Sequence, residues 1–322
     1  MNREKYKEFT AGSNDDGKRL DRIIRQFMPE NSLSGLYKAL RKGLIRINDN
    51  KAKPESKISQ GDTLQIFNSL LQEQDLKEKP AKPVEQSFTD QIIYEDENLL
   101  ALNKKKGQLV HGGRDSLEEM VRRYLEGKIP QSLSFRPGPL HRLDRNTSGL
   151  IFFSKSIKGA REFSSDLQSK KFIKYYIALM DGTLKGTEFW VDNLQREEKK
   201  KVTTVEYEGQ IARSTAYPIH NYRGYSLALI KIETGRTHQI RAQASFHKYP
   251  LSGDTKYGGS FLKTGYFLHS LTFKNLAGDS HIIKEEIKAS LDKAQLKQLN
   301  RVLSDCTIED LEAVITALLE DQ

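Results

Sequence analysis

The segment His141-Arg142-Leu143-Asp144-Arg145-Asn146-Thr147-Ser148-Gly149 sets one carboxylate among two guanidiniums, an imidazole and an amide. It runs directly into an apolar stretch at 150–153. His141, Arg142, Arg145 and Asn146 can each donate a hydrogen bond towards Asp144. An ionised carboxylate at such a loop-to-strand junction is available as a nucleophile or a base. The same residues can also make a salt-bridged turn that only fixes the loop. Further on, Tyr176 lies in an alternating run at 173–180. A tyrosine beside a polar loop can stack on a nucleobase, although strand tyrosines commonly pack in the core. Arg236 and Arg241 straddle the start of a helical segment, HQIRAQASF. They can grip a phosphate or pair with a carboxylate such as Asp144, or stand as two exposed arginines at a loop.

Composition narrows the chemistry. The chain has 322 residues, 37% hydrophobic and 30% charged, with a net charge of +9. That length suits about two domains, and the positive balance points to a polyanionic partner. Cys306 is the only cysteine, which excludes an intramolecular disulfide and a cysteine zinc site. The seven histidines show neither HExxH nor any other tight ligand spacing, so no metal is expected. Neither GxxxxGK[ST] nor GxGxxG occurs, so no nucleotide cofactor is expected. No apolar stretch of about 18 residues exists to cross a membrane. The charged start MNREKYKEF lacks the apolar centre of a secretory signal. The expectation is a cytoplasmic protein.

The elements that must position these residues divide the chain. Residues 18–67 carry eleven Lys and Arg against five Asp and Glu. Leu20, Ile23, Ile24 and Phe27 are spaced as a helix that Pro29 closes. Ser34 is placed to cap a second helix, with Leu36 and Leu40 inward, Lys38, Arg41 and Lys42 outward, and Gly43 as a left-handed end. LIRIN and GDTLQIF then read as strands around a turn at 48–50. The basic face suits a phosphate backbone, though ordinary surface lysines or an acidic protein partner fit it too. Residues 69–88, rich in Gln, Glu, Lys and Pro, read as a solvated linker. From 89 to 288 short apolar runs alternate with glycine and charge. Within it, period two puts Lys174, Tyr176, Ala178 and Met180 on one side of a strand, with Tyr175, Ile177 and Leu179 on the other. Thr237 is placed to cap the HQIRAQASF helix. Residues 289–322 read as an acidic helical extension, with three Lys and Arg against seven Asp and Glu over 291–322.

Two resemblances follow from these motifs. KRLDRII at 18–24, SGLYKALRKGLIRIN at 34–48 and KISQGDTLQIF at 57–67 resemble the S4 RNA-binding domain, which implies such a domain at 16–68. HRLDRNTSGLIFFSK at 141–155, KYYIALM at 174–180, GRTHQIRAQASFHKYPLSGDTKYG at 235–258 and LHSLTF at 268–273 resemble the RluA family of pseudouridine synthases, nearest its C-type large-subunit ribosomal RNA enzymes. One departure is Lys104-Lys105-Lys106-Gly107, where that family usually has Lys-Pro-x-Gly; it loosens a turn and removes no reactive group.

The family resemblance implies an α+β catalytic domain at 89–288 with a mixed, largely antiparallel sheet and a central RNA cleft. It implies isomerisation of uridine to pseudouridine in large-subunit ribosomal RNA by a monomer, without a cofactor. Asp144 would attack ribose C1′ or promote loss of a ribose hydrogen, and the uracil would turn and re-bond through C5. The target base would be flipped out. Arg142 would fill the vacated stack, Tyr176 would stack on the uracil, and Arg241 would orient Asp144. His141, Arg236, Lys38, Arg41 and Lys42 would contact RNA. A synthase acting on tRNA and a non-catalytic assembly factor are the rival readings.

Overall fold

The computed structural model describes residues 5–71, 86–113, 115–275, 280, 282–283, 286–303 and 308–320. Most of the expected linker therefore lies outside the described residues. Near the N-terminus, strands β1 (Tyr6–Thr10), β2 (Ile45–Ile47), β3 (Asn50–Lys51) and β4 (Thr63–Phe67) form a sheet in the order β1-β4-β2-β3. The helices Leu20–Phe27 and Leu33–Lys42 bury Leu20, Ile23, Ile24, Leu36, Ala39 and Leu40 against it. Gly43 ends the second helix at φ 70°, a conformation that costs glycine little.

Two sequence expectations need correction here. The sheet begins at Tyr6, ahead of the boundary at 16, because β1 pairs with β4 along its whole length. Its alternation is hidden in the sequence because a charged residue stands on each face, Lys7 beside Phe9 and Glu8 beside Tyr6. The cap of the second helix is Ser32, not Ser34: the Ser32 side chain accepts the Gly35 N–H. A capping oxygen must sit about three residues ahead of its donor, and Ser34 is already inside the helix.

The second sheet has ten strands. They are β5 (Ile92–Glu95), β6 (Leu99–Lys104), β7 (Ser148–Ser154), β8 (Phe172–Asp181), β9 (Glu188–Glu197), β10 (Val202–Val205), β11 (Gln210–Tyr222), β12 (Tyr225–Ile232), β13 (Leu268–Asn275) and β14 (Ile287–Lys288). The order is β10-β9-β11-β12-β8-β13-β7-β6-β5, with β14 added on β13. β13 and β7 run parallel; the other pairs are antiparallel. The sheet is thus mixed and largely antiparallel, as expected, in an α+β fold.

Strand β8 shows how the two faces are used. Tyr176, Ala178 and Met180 enter one core with Leu102, Ile151 and Ile230, covered by the helices Leu117–Leu125 and Gln239–Phe246. Ile173, Tyr175, Ile177 and Leu179 enter another core on the opposite face. Leu299, Leu303, Ile315 and Leu319 of the C-terminal segment close that second face. The segment after 288 therefore forms a layer over one face of the ten-stranded sheet.

The N-terminal unit also docks on the loop at 131–134. Asp15 is fully buried and accepts from Ser132 Oγ at 2.7 Å, Leu133 N at 2.8 Å and Ser134 N at 3.0 Å. Leu133 packs into the N-terminal core. A Cβ on Gly12 would stand 1.7 Å from the Gln131 carbonyl oxygen, so only glycine allows that approach.

Candidate active site

The loop at 141–147 enters β7 at a crowded point. Gly149 has φ 103°, and a Cβ there would lie 2.1 Å from the Ser270 carbonyl oxygen of β13. The glycine lets β7 press against β13, which fixes where the preceding loop must turn. Thr147 N–H donates to the Asp144 carbonyl at 3.1 Å, closing a turn behind the carboxylate. The loop is also bound to the basic turn beside it. Gly107 N–H donates to the Arg145 carbonyl at 2.8 Å, and Arg145 Nε donates back to the Gly107 carbonyl at 3.0 Å.

Lys104 holds this arrangement from below. Its side chain is fully buried at the end of β6. Nζ donates to the carbonyls of Lys105, Arg145 and Thr147 at 3.2, 2.9 and 2.6 Å. Burial pushes the ammonium down to about 7, against the attraction of Asp144. Lys105 stands where the family usually has proline, and its N–H donates to Gln108 Oε1 at 2.8 Å, a bond proline cannot make.

Asp144 meets Arg241 across the chain. Arg241 Nη1 donates to Asp144 Oδ2 at 3.0 Å. Its Nε and Nη2 donate to Asp254 Oδ2 and Oδ1 at 2.6 and 2.9 Å, a bidentate pair of the kind guanidinium geometry favours. The guanidinium lies 4.7 Å from the ring centroid of Tyr257 and 4.8 Å from that of Tyr266, within cation–π range of both. Burial alone would lower the Arg241 guanidinium, but the bonds from Asp254 and the nearby negative charge raise it above its ordinary value. Arg241 is therefore a fixed cation bridging two carboxylates.

His238 completes the surround. It precedes the helix Gln239–Phe246 with φ 55°, a strained value for a residue with a side chain. Its Nδ1 lies 2.7 Å from Tyr257 Oη and its Nε2 lies 3.6 Å from Asp144 Oδ2. His238, not Thr237, occupies the cap position, and its side chain makes no capping bond. Burial lowers the imidazole below its ordinary value, more than Asp144 raises it. Both neighbours thus approach Oδ2. Among the described residues no hydrogen bond holds Asp144 Oδ1, so that oxygen is free to meet a substrate.

A cavity of about 520 Å³ opens beside the carboxylate. Asp144, Tyr176, Lys174 and Arg142 line it together with the 232–238 loop. Tyr176 sits opposite Ser270 in the sheet register and is almost wholly buried. Burial pushes its phenol up to about 12, so it stays protonated near neutral pH. Arg142 is exposed at the cavity wall. Arg236 is also exposed and lines the cavity, its Nε donating to the Ile211 carbonyl at 3.1 Å. Arg241 is thus the arginine hydrogen-bonded to this carboxylate.

His141 differs from the expectation. Its Nε2 accepts the Phe152 N–H at 3.1 Å, and its ring packs with Phe152, Phe163 and Phe273. Burial pushes the imidazole down to about 3. The side chain is neutral and lines the cavity beside Leu140 and Arg142, with its acceptor nitrogen already used. Lys38, Arg41 and Lys42 are exposed together on the helix Leu33–Lys42, in the N-terminal unit. Sequence reasoning missed Asp254, His238, Tyr257, Tyr266, Lys104 and Lys174. The blocks 235–258 and 104–107 contained most of them, but no spacing rule shows that a helix cap and a later turn close on the same guanidinium.

Known proteins share this arrangement of segments. Residues 98–246 match the family model described as RNA pseudouridylate synthase. The chain is 31% identical over 245 residues to ribosomal large subunit pseudouridine synthase C of Vibrio vulnificus, covering 75% of this chain and 77% of that one. It is 30% identical over 309 residues to the synthase C of Salmonella typhi, covering 89% and 93%. The synthase D of Haemophilus influenzae is 30% identical over 246 residues, covering 76% of this chain and 74% of that one. In fold, human RNA pseudouridylate synthase domain containing 4 superposes with a TM-score of 0.55 at 19% identity, over 67% of this chain and 94% of that one. At that level of identity and coverage to the Vibrio and Salmonella relatives, this chain belongs to the RNA pseudouridylate synthase family.

Proposed function

We propose that this protein isomerises specific uridines to pseudouridine in large-subunit ribosomal RNA, with Asp144 as the reacting carboxylate. The observation that carries the reading is the geometry at Asp144: Arg241 and His238 approach Oδ2, while among the described residues no hydrogen bond holds Oδ1, beside the cavity that Tyr176 lines. The relatives named as large-subunit synthases supply the substrate class.

In this reading Oδ1 attacks C1′ of the flipped nucleotide or takes a ribose hydrogen. Either start breaks the C1′–N1 bond and releases the uracil with the bonding electron pair. The base turns over Tyr176 and C5 bonds to C1′; in the same step the Asp144–C1′ bond breaks, or, in the second route, Asp144 returns the proton to the ribose. The C5 proton then leaves and N1 gains a proton, so the carboxylate is restored. Atoms balance without a cofactor, because one glycosidic bond replaces another. Arg241 holds the carboxylate in place, and Asp254 holds Arg241. Tyr176 supplies a stacking surface and a neutral hydroxyl; with its phenol held near 12, it is a poor base at neutral pH. Arg142 takes the space the flipped base leaves, and Arg236 meets backbone at the rim. The N-terminal unit acts as an S4 domain whose Lys38, Arg41 and Lys42 contact phosphates. The protein acts as a cytoplasmic monomer, one chain supplying every residue named at the site.

Mapping pseudouridines in ribosomal RNA from a strain lacking this gene tests the target. One or more missing sites in large-subunit RNA, restored by the wild-type gene and not by Asp144→Asn, supports the reading. Loss confined to tRNA, or no loss, overturns it.

A further inference from the structure

Lys174 is left unexplained by the roles above. It sits on β8 two residues before Tyr176, on the same face, so the two side chains stand about 7 Å apart along the strand. It is buried to 9% exposure and lines the same cavity as Asp144 and Tyr176. Its Nζ lies close to Gly235, where an added Cβ would stand 3.1 Å away, and 5.9 Å from the Phe273 ring centroid. Among the described residues no hydrogen bond or ion pair engages this ammonium.

The stem is buried while the ammonium faces the cavity, and an ammonium without a carboxylate partner becomes costly once an occupant displaces the cavity water. Glu233 lines the cavity but is exposed, and Asp144 is engaged by Arg241. His141, on the same wall, is neutral. Burial without compensation pushes Lys174 down to about 8, which leaves it mostly charged at neutral pH. The surrounding rim is cationic, with Arg142, Lys170 and Arg236 exposed. The missing partner is therefore an anion that enters with the substrate.

We propose that Lys174 forms an anion subsite for a phosphodiester flanking the uridine held over Tyr176. This rests on the reading that the cavity accepts a flipped uridine. A base on Tyr176 has its own phosphodiester one nucleotide-width away, which is the spacing between the two side chains. The lysine would then fix the backbone while Asp144 works at C1′. Because the phosphate is common to every nucleotide, the subsite positions the ribose and does not select the base.

The test uses the full-length protein and an RNA hairpin whose loop carries a single uridine. The phosphates on either side of that uridine are natural, or one at a time are replaced by an uncharged methylphosphonate. Affinity is measured for the wild type, Lys174→Met and Lys174→Arg. Lys174→Met should bind the natural RNA about tenfold more weakly, the usual scale for one charge-assisted contact. Its salt slope should fall by about 0.7, as for one phosphate on a single strand. On one of the two methylphosphonate RNAs the wild type should bind as weakly as Lys174→Met, with no further loss in the variant. Lys174→Arg should recover most of the affinity. The proposal is overturned if Lys174→Met binds as the wild type does, or loses a further tenfold on both methylphosphonate RNAs. It is equally overturned if affinity and salt slope hold and only turnover falls, which would put the lysine on the base. Binding needs no turnover, so failure of the isomerase reading shows separately, as a wild type that binds RNA and forms no pseudouridine.

Discussion

Arg241 is buried, bidentate to Asp254 and held between two tyrosine rings, whereas Lys38, Arg41 and Lys42 stand in solvent on one helix face. The first cation is already satisfied before RNA arrives, and its work is to fix a carboxylate. In the proposed function the other three gain partners only when RNA arrives, and their work would be to attract it. Preorganised charge costs nothing to align at the moment of reaction. Exposed charge contributes through released counterions and is screened by salt. A substitution in the buried set should therefore appear in turnover, and one in the exposed set in affinity and its salt dependence.

The largest effect should come from the buried set. Arg241→Ala leaves Asp254 buried without its partner and Asp144 without its guide. Removing one member of a buried charged pair costs about 3–5 kcal/mol of folding stability; in the folded protein, loss of the donor that fixes the reacting carboxylate should lower kcat by roughly two to three orders of magnitude, with RNA affinity little changed. Turnover on saturating RNA reads this. If binding collapses while saturated turnover survives, Arg241 is a phosphate clamp, and the contrast between the two sets fails.

Asp15→Ala comes next. The substitution leaves the Leu133 and Ser134 N–H groups without their acceptor, at a cost of about 1–3 kcal/mol. Thermal unfolding should then show the N-terminal unit melting apart from the rest. The pH dependence has the same origin. Burial opposes ionisation of Asp15, but bonds from Ser134, Leu133, Ser132 and Gly12 outweigh it, so the carboxyl lies below its ordinary 3.8. A lowered acid contributes stability above its unfolded value that is lost as pH falls through its folded value. Wild-type docking should hold from neutrality down to about pH 4 and weaken below it. A single unfolding transition in Asp15→Ala would show that other contacts bind the two units.

Tyr176→Phe is a smaller perturbation that sharpens the role of the ring. The stacking surface remains, and stacking is worth about 1–3 kcal/mol per base, so affinity should hold within a few-fold. Turnover should fall by about tenfold or less, since a phenol held near 12 is not the base that removes the C5 proton. A loss comparable to that of Arg241→Ala would make the hydroxyl a participant in proton transfer.

The exposed set should give the smallest effect per residue. Replacing Lys38, Arg41 and Lys42 together by alanine should weaken binding to large ribosomal RNA fragments. The salt slope should flatten by about 0.7–0.9 for each phosphate contact removed. The loss should be in affinity rather than in kcat. An unchanged slope would mean that this face meets something other than RNA.

The same contrast explains what the sequence revealed. The exposed basic face was legible from composition and helical spacing, because solvent-facing charge leaves a local pattern. β8 was legible too, since period two separates Tyr176, Ala178 and Met180 from Tyr175, Ile177 and Leu179, and the two cores use those sides. Asp144 and Arg241 were first marked by local charge, with the salt-bridged turn equally open; their pairing followed from family resemblance. Asp254, Tyr257 and Tyr266 were hidden, because what makes them matter is contact with Arg241 across loops. His141 misled for the converse reason. Its neighbours in sequence are polar, while its neighbours in space are Phe152, Phe163 and Phe273. The docking of Asp15 on the 132–134 loop joins positions more than a hundred residues apart, and no local signal records it.

In the proposed function Asp144 carries the chemistry and Arg241 holds it in place. Tritium release from an RNA hairpin labelled at C5 of uridine, at saturating RNA, compares the wild type with Asp144→Asn directly. Asparagine keeps the shape of the side chain and lacks the carboxylate. The account predicts release by the wild type, none by Asp144→Asn, and RNA affinity for both within a few-fold. Release by Asp144→Asn near the wild-type rate would contradict it.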